Sequence, residues 1–252
     1  MINDIINLIF LNPKILIVTP FRNEDHSVSQ YLEALKAVDY PKKLIDLYWL
    51  ENDSSDKTLS MLKAAKGGMP FNSTTLESVK IIGSLQKNKP GDYFKDIGFG
   101  HRRGKVWVII WNKYFIPLAR KVKHKYILFW YADALAPPNV ITEYLKVFDK
   151  YPAGWVGGKM RRRFPRHKHV LSPWPSGFAL SKSKEPLVCR LTGHVFMIPR
   201  ESLSKCECNY NPKEVHYAII NGLKAQGLKV YYQPTVYIPH VSMDGKIHGA
   251  PL

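Results

Sequence analysis

The feature that most constrains the fold is a series of short apolar runs, each followed at once by a polar cluster. The runs are Lys14 to Thr19, Ile45 to Leu50 and Tyr126 to Trp130, and the clusters after them are Thr19 to Glu24, Glu51 to Asp56 and Tyr131 to Asp133. Continuous apolar runs of this length are typical of buried parallel strands. Because parallel strands end at one edge of a sheet, we expect all three clusters to face one crevice.

Amphipathic segments separate these runs and predict helices. The expected helices follow Ser27, cover Asp56 to Lys66, cover Lys105 to Val122 with a kink at Pro117, run from Pro137-Pro138 to Lys150, and cover Pro212 to Gly227. Further strands are expected at Val79 to Ile82, Trp155 to Lys159, Gly193 to Pro199, Lys229 to Gln233 and Val236 to Ile238. This alternation predicts an α/β fold with a doubly wound, mostly parallel sheet.

The length of 252 residues and the 45% apolar content suit one domain. The apolar run from Ile5 to Leu11 has no basic leader and is too short to span a bilayer. We therefore expect a soluble cytoplasmic protein without a transmembrane segment. Cys206 and Cys208 form a Cys-x-Cys pair with no second pair, so reduced thiols are favoured over a zinc site.

The formal net charge of +17 favours polyanionic partners such as nucleic acid or an anionic membrane surface. Basic residues are concentrated between Lys159 and Arg190, where nine Lys or Arg side chains face one acid, Glu185. A lysine-rich solvated surface is the alternative explanation for the charge as a whole.

The order and spacing of the three clusters resemble the family 2 glycosyltransferases and related GT-A enzymes. The resemblance covers about 130 residues well and rests on Thr-Pro-Phe-Arg-Asn-Glu, Glu-Asn-Asp-Ser-Ser-Asp-Lys-Thr and Ile-Leu-Phe-Trp-Tyr-Ala-Asp. It implies a Rossmann-like three-layer α/β/α sandwich, with residues 1–135 binding a nucleotide sugar and residues 136–252 binding the acceptor. The residues that it places around the donor are Pro20, Arg22, Asn23, Glu24, Glu51, Asn52 and Ala132. Asp56 and Thr58 fit the end of the second motif, and for them a structural helix-capping role is at least as good an interpretation as a contact with the ligand.

The triplet Tyr131-Ala132-Asp133 resembles the metal-binding Asp-x-Asp motif with its first carboxylate replaced. The resemblance makes Asp133 the direct ligand of Mn²⁺ or Mg²⁺, which offsets the charge of the donor diphosphate. His240, in a terminal strand-plus-His element, is the candidate second ligand, and a structural role is its alternative.

The segment from Lys105 to Val122 looks like the helix that precedes the metal motif in Anp1-like and capsule-associated mannosyltransferases. Arg102 and Arg103, next to His101, are placed to bind the diphosphate by charge-assisted hydrogen bonds, although a solvated basic loop is an equal alternative. Because family 2 enzymes invert and Anp1-like enzymes retain the anomeric configuration, the resemblance leaves the stereochemistry open.

The Pro212 to Gly227 helix occupies the place of the family's Glu-Asp helix, whose acid removes a proton from the acceptor hydroxyl. The resemblance therefore implies a catalytic base here, with Glu214 as the nearest acid and His216 as the alternative base. The family's acceptor-side glycine loop corresponds to Thr192-Gly193-His194, which makes His194 an acceptor-binding candidate and a third possible base.

The basic segment combines cations with aromatic rings, as proteins that bind nucleic-acid strands do. Its acceptor-binding candidates are Arg161, Arg162, Arg163 and Trp174. The hypothesis that follows is an acceptor in DNA, a hydroxylated base that is flipped or splayed to reach the sugar. The alternatives are a saccharide or lipid-linked glycan, with the basic loop on an anionic membrane, and a non-catalytic nucleic-acid-binding module.

Overall fold

The computed structural model describes residues 12–81, 101–160, 184–209 and 216–248. Its strands are β1 (Ile15–Phe21), β2 (Ile45–Asn52), β3 (Ser73–Val79), β4 (Tyr126–Trp130), β5 (Ala153–Met160), β6 (Leu187–Val188), β7 (Val195–Pro199), β8 (Lys229–Ile238), β9 (His240–Val241) and β10 (Ile247–His248). Its α-helices are α1 (Val28–Lys36), α2 (Thr58–Lys66), α3 (His101–Ile110), α4 (Ile116–Lys121), α5 (Val140–Lys150), α6 (Arg200–Ser204) and α7 (His216–Lys224).

The described residues form an eight-stranded sheet in the order β3-β2-β1-β4-β7-β5-β8-β6. Strands β3, β2, β1 and β4 are mutually parallel, and β5 is parallel to β8. Strand β7 runs against both β4 and β5, and β6 runs against β8. The prediction of a mostly parallel sheet is confirmed, with β7 as a reversed strand in its middle.

Helices cover both faces of the sheet, as the three-layer prediction required. Along β1, Ile15 and Ile17 belong to a core that includes buried residues of α1, α2 and α5. Leu16 and Val18 belong to the opposite core, which includes buried residues of α3, α4, α6 and α7. Because successive side chains of a strand point to opposite faces, one uninterrupted apolar run supplies both cores.

Three secondary-structure predictions were wrong in detail. The third strand is not Val79 to Ile82 but β3, an edge strand whose alternating polar residues conceal it. The long helix is interrupted by a π-helical turn at Trp111–Phe115, which ends two residues before Pro117 and continues directly into α4. The two terminal strands are one strand, β8, whose pairing with β5 shifts register beside Pro234.

Some boundaries also differ from the predicted ones. Helix α2 begins at Thr58, β7 begins at Val195, and α7 is described only from His216. Ser27 precedes α1 as expected, but its hydroxyl donates to the Glu24 carbonyl and carboxylate instead of capping the helix. The organisation as one domain stays a prediction. Among the described residues, no helix is long and apolar enough to cross a bilayer.

We expect Gly157→Ala to destabilise the protein by about 1–3 kcal/mol, the usual cost of overpacking a core. A Cβ at Gly157 would lie 1.9 Å from Thr192 Oγ1, the atom that accepts a hydrogen bond from Trp155 Nε1 at 2.8 Å. The free energy of unfolding in urea measures the effect.

Gly67→Ala is the matched control for this substitution. No atom lies within 4 Å of a Cβ built there, and φ is −73°. The control should change the free energy of unfolding by less than about 0.5 kcal/mol. Equal stability of the two variants would contradict the close contact between Gly157 and Thr192.

Candidate functional site

The loops after β1, β2 and β4 lie at one edge of the sheet. Strand β1 is parallel to both β2 and β4, so the carboxyl ends of all three strands point the same way. Glu51-Asn52 and Asp133 therefore lie at the same edge, as predicted. This is the edge at which open α/β sheets bind ligands.

Hydrogen bonds join the first two loops directly. The backbone N–H of Asn23 donates to Ser54 Oγ at 3.1 Å, and Ser55 N–H donates to Asn23 Oδ1 at 2.8 Å. Glu24 N–H donates to Thr58 Oγ1 at 2.8 Å. Asn23 has a φ of 53°, a left-handed conformation that Asn tolerates better than most residues. The predicted turn from Pro20 to Glu24 is thus held against the second loop.

Asp56 and Thr58 have the structural role that was one of their two interpretations. Asp56 accepts hydrogen bonds from the N–H groups of Asp25 and Thr58, at 3.1 and 2.9 Å. Burial favours a higher pKa for Asp56, but these hydrogen bonds outweigh it and lower the pKa below its ordinary value. The ionised carboxylate therefore fastens the start of α2 to the first loop.

Glu51 and Asn52 are both buried but are bonded differently. Glu51 accepts one hydrogen bond at each carboxylate oxygen, from Ser54 N–H at 2.7 Å and from the Ser78 hydroxyl at 2.5 Å. Asn52 Nδ2 has no hydrogen-bond partner within the described part of the chain. A buried N–H group without a partner costs free energy unless a ligand supplies an acceptor. Of the two, Asn52 is the better candidate to contact a ligand.

Strand β9 brings His240 next to Asp133, in the segment that follows β4. Val241 N–H donates to the Asp133 carbonyl at 2.8 Å, and Leu135 N–H donates to the Pro239 carbonyl at 2.9 Å. These backbone hydrogen bonds place His240 Nδ1 3.7 Å from Asp133 Oδ2. The predicted pair of metal ligands is therefore adjacent in the structure.

A third candidate ligand, His194, lies on the same cluster. Its Nδ1 is 3.8 Å from Asp133 Oδ1, and its ring centroid is 4.6 Å from that of His240. Its carbonyl accepts from Tyr131 N–H at 2.8 Å, and its φ of 64° is left-handed. The sequence suggested an acceptor-side position for His194, whereas the structure places it beside the predicted metal ligands.

The sequence did carry a signal for this position. His194 immediately precedes the apolar run of β7, which is antiparallel to β4. An antiparallel neighbour begins where β4 ends, so its first residues meet the polar cluster after β4. The prediction of a mostly parallel sheet left the direction of this strand open, so this signal was not used.

The three side chains suit one divalent cation. Their candidate ligand atoms all lie within 4.8 Å of one another. His240 is 1% exposed, and neither of its ring nitrogens has a hydrogen-bond partner among the described residues. Burial favours a raised pKa for Asp133, but the neighbouring His194 and His240 lower it well below its ordinary value. A carboxylate with two imidazoles can bind Mn²⁺ and other first-row metals.

The remaining predicted residues are placed as follows. Ala132 is buried between Tyr131 and Asp133. The backbones of Arg102 and Arg103 lie in α3. His216 lies in α7, and its Nε2 is 2.8 Å from the Tyr131 hydroxyl. Residues outside the described part of the chain are Glu214, Arg161, Arg162, Arg163 and Trp174.

The sheet order, the two helical layers and the cluster at the carboxyl edge define the GT-A glycosyltransferase fold. A family model described as Anp1 matches residues 7–103. Over 58 residues, or 23% of this chain, the protein is 31% identical to a "Glycosyltransferase 25 family member" of Aedes aegypti. That alignment spans 10% of the mosquito protein.

Two solved structures show the same fold at low sequence identity. One is the mannosyltransferase PcManGT from Pyrobaculum calidifontis, in complex with GDP-Man and Mn²⁺, with a TM-score of 0.57 and 15% identity over 90% of this chain. The other is S. aureus TarS 1-349, in complex with UDP-GlcNAc, with a TM-score of 0.52 and 14% identity over 87% of this chain. The aligned region spans 56% and 58% of those two chains.

We expect His240→Ala to weaken Mn²⁺ binding by at least about tenfold, because it removes one of the three candidate ligands. Electron paramagnetic resonance of free Mn²⁺ measures binding without requiring activity. His124→Ala is the control, since His124 pairs with Asp46 at the opposite edge of the sheet. Unchanged Mn²⁺ affinity in His240→Ala would remove His240 from the site.

Proposed function

We propose that the protein is a metal-dependent glycosyltransferase that moves a sugar from a nucleotide-sugar donor to an acceptor hydroxyl. The observation that carries the proposal is the cluster of Asp133, His194 and His240 at the carboxyl edge of a GT-A fold. The Anp1 match and the two nucleotide-sugar complexes of the same fold support it.

The donor site in this proposal is built from the first two loops and the metal cluster. The nucleoside lies against the Pro20 to Glu24 turn, which includes Arg22, with Asn52 Nδ2 donating to it. Glu51 holds the second loop through the two hydrogen bonds that its oxygens accept, and the acceptor sites that remain on them can contact the nucleoside. Arg102 and Arg103 neutralise the diphosphate. A divalent cation, Mn²⁺ or Mg²⁺, supplies positive charge at the leaving diphosphate.

The cluster spans the two halves proposed for the chain. Asp133 belongs to the nucleotide-sugar half, residues 1–135, whereas His194 and His240 belong to the acceptor half, residues 136–252. Donor and acceptor residues would thus meet at the metal. A proton must leave the acceptor hydroxyl as it attacks, and Glu214 and His216 are the two candidate bases.

For the acceptor, the charge of the protein supports a hydroxylated base in DNA. Nine basic side chains between Lys159 and Arg190 would neutralise phosphates, and Trp174 would stack on a base. A saccharide or lipid-linked glycan is the competing acceptor, with the basic segment on an anionic membrane. A cytoplasmic location fits the DNA hypothesis and the three buried free cysteines.

A donor screen by thermal shift with Mn²⁺ present tests the proposed function. At a donor concentration of 100 times Kd, binding stabilises the fold by about 2.7 kcal/mol, which raises Tm by a few degrees. Asp133→Ala should abolish this shift. If no nucleotide sugar shifts Tm in the wild-type protein, the proposal fails.

We expect Asn52→Ala to lose most of that donor-induced shift while the free energy of unfolding changes by at most about 1 kcal/mol, since Nδ2 has no partner to lose within the described residues. Ser60→Ala, at an exposed position on α2, is the control. A donor-induced shift in Asn52→Ala equal to that of the wild type would exclude Asn52 from the donor site.

Sugar incorporation into hydroxymethylated DNA and into saccharide acceptors separates the acceptor hypotheses. Incorporation into the DNA, together with salt-dependent retention on duplex DNA that exceeds retention on heparin-like polyanions, supports the first. Incorporation into saccharides alone rejects it. Hydrolysis of the donor in the presence of Mn²⁺ would reject the non-catalytic module.

A further inference from the structure

A hydrogen bond between Tyr131 and His216 joins the segment after β4 to residues 136–252, the half of the chain proposed to bind the acceptor. The Tyr131 hydroxyl lies 2.8 Å from His216 Nε2. Tyr131 directly follows β4, and His216 is the first described residue of α7. Tyr131 takes the place of the first Asp of the Asp-x-Asp motif, and its side chain contacts the candidate base His216.

Aromatic side chains hold this pair in place. The Trp107 ring stacks on Tyr131, with centroids 5.2 Å apart and an interplanar angle of 15°. Trp111 and Trp155 point their rings edge-on at His216, at centroid distances of 6.2 and 5.9 Å. Since rings in such a cluster cannot swing freely, the geometry of the pair is preset before any substrate arrives.

The pair lies beside the metal cluster. The ring centroid of His194 is 5.2 Å from that of Tyr131, and His194 Nδ1 is 3.8 Å from Asp133 Oδ1. The His194 side chain is thus a neighbour of both the Tyr131 ring and the carboxylate of Asp133, the candidate metal ligand. Tyr131 is 8% exposed and His216 is half-buried, so neither side chain is completely enclosed.

We propose that Tyr131 and His216 act as one proton acceptor for the attacking hydroxyl, with Tyr131 as the residue that touches the acceptor. The proposal rests on the proposed glycosyltransferase function and names a catalytic residue that the sequence motif did not suggest. Its basis is geometric: the Tyr131 hydroxyl lies 2.8 Å from His216 Nε2, and in the His216 tautomer whose Nε2 is the acceptor, a proton reaches that nitrogen through the hydroxyl.

The step balances as a direct displacement. The acceptor oxygen bonds to the anomeric carbon while its proton passes to the Tyr131 oxygen. The Tyr131 proton passes at the same time to His216 Nε2, so Tyr131 stays neutral and His216 becomes a cation. The bond between the anomeric carbon and the diphosphate oxygen breaks, and its electron pair leaves with the diphosphate. His216 afterwards releases its proton to solvent.

Tyr131→Phe, His216→Gln and the double variant test the relay. Groups that act as a unit are non-additive, so all three variants should lose kcat by a similar factor of about 100 or more. The KM for the donor should stay within about threefold of the wild type, because the substitutions leave the binding of the donor in its ground state unchanged. Tyr131→Phe keeps the ring that stacks on Trp107, and the donor-induced thermal shift verifies that each variant is folded.

Tyr40→Phe is the matched control. It removes one hydroxyl, which donates to the Pro13 carbonyl at 2.6 Å in a different part of the fold. Its kcat should equal that of the wild type.

Two results would overturn the relay while leaving the proposed function intact. One is a Tyr131→Phe enzyme with wild-type kcat. The other is a double variant whose loss is the product of the two single losses, which indicates independent roles. If the wild-type protein transfers no sugar to any acceptor, the proposed function itself fails, and the relay fails with it.

Discussion

The structure of the site depends on two backbone hydrogen bonds, from Val241 N–H to the Asp133 carbonyl and from Leu135 N–H to the Pro239 carbonyl. They attach the end of the described chain to the segment that follows β4. They hold His240 beside Asp133, with His240 Nδ1 3.7 Å from Asp133 Oδ2. The reversed strand β7 positions His194 in a similar way, because the His194 carbonyl accepts a hydrogen bond from Tyr131 N–H.

Much of the donor side could be predicted because it follows from local pattern. Continuous apolar runs such as β1 are buried on both faces, and parallel strands necessarily end at one edge. The positions of Glu51, Asn52 and Asp133 at a common edge needed nothing more. The roles were harder to predict, since sequence does not show that Glu51 is already bonded to Ser54 and Ser78 while Asn52 Nδ2 lacks a partner among the described residues.

The acceptor side depends on contacts between residues far apart in the chain, which local pattern does not encode. The direction of β7 decides whether His194 lies beside Asp133 or at the other end of the sheet, yet a short apolar run has the same appearance in both directions. The bond between Tyr131 and His216 likewise joins residues 85 positions apart. Edge strand β3 was misplaced for another reason, because only one of its sides is paired within the described residues.

The cluster of Asp133, His194 and His240 draws on three separate segments of the chain, and this has a consequence for assembly. Contacts between residues far apart in the chain form late and slowly in folding, because closing the long loops between them costs entropy before the contacts can stabilise the structure. A chain in which β9 has not yet docked would have Asp133 and His194 in place without His240. Binding of a cation by all three side chains would therefore require that β9 has paired with the segment after β4.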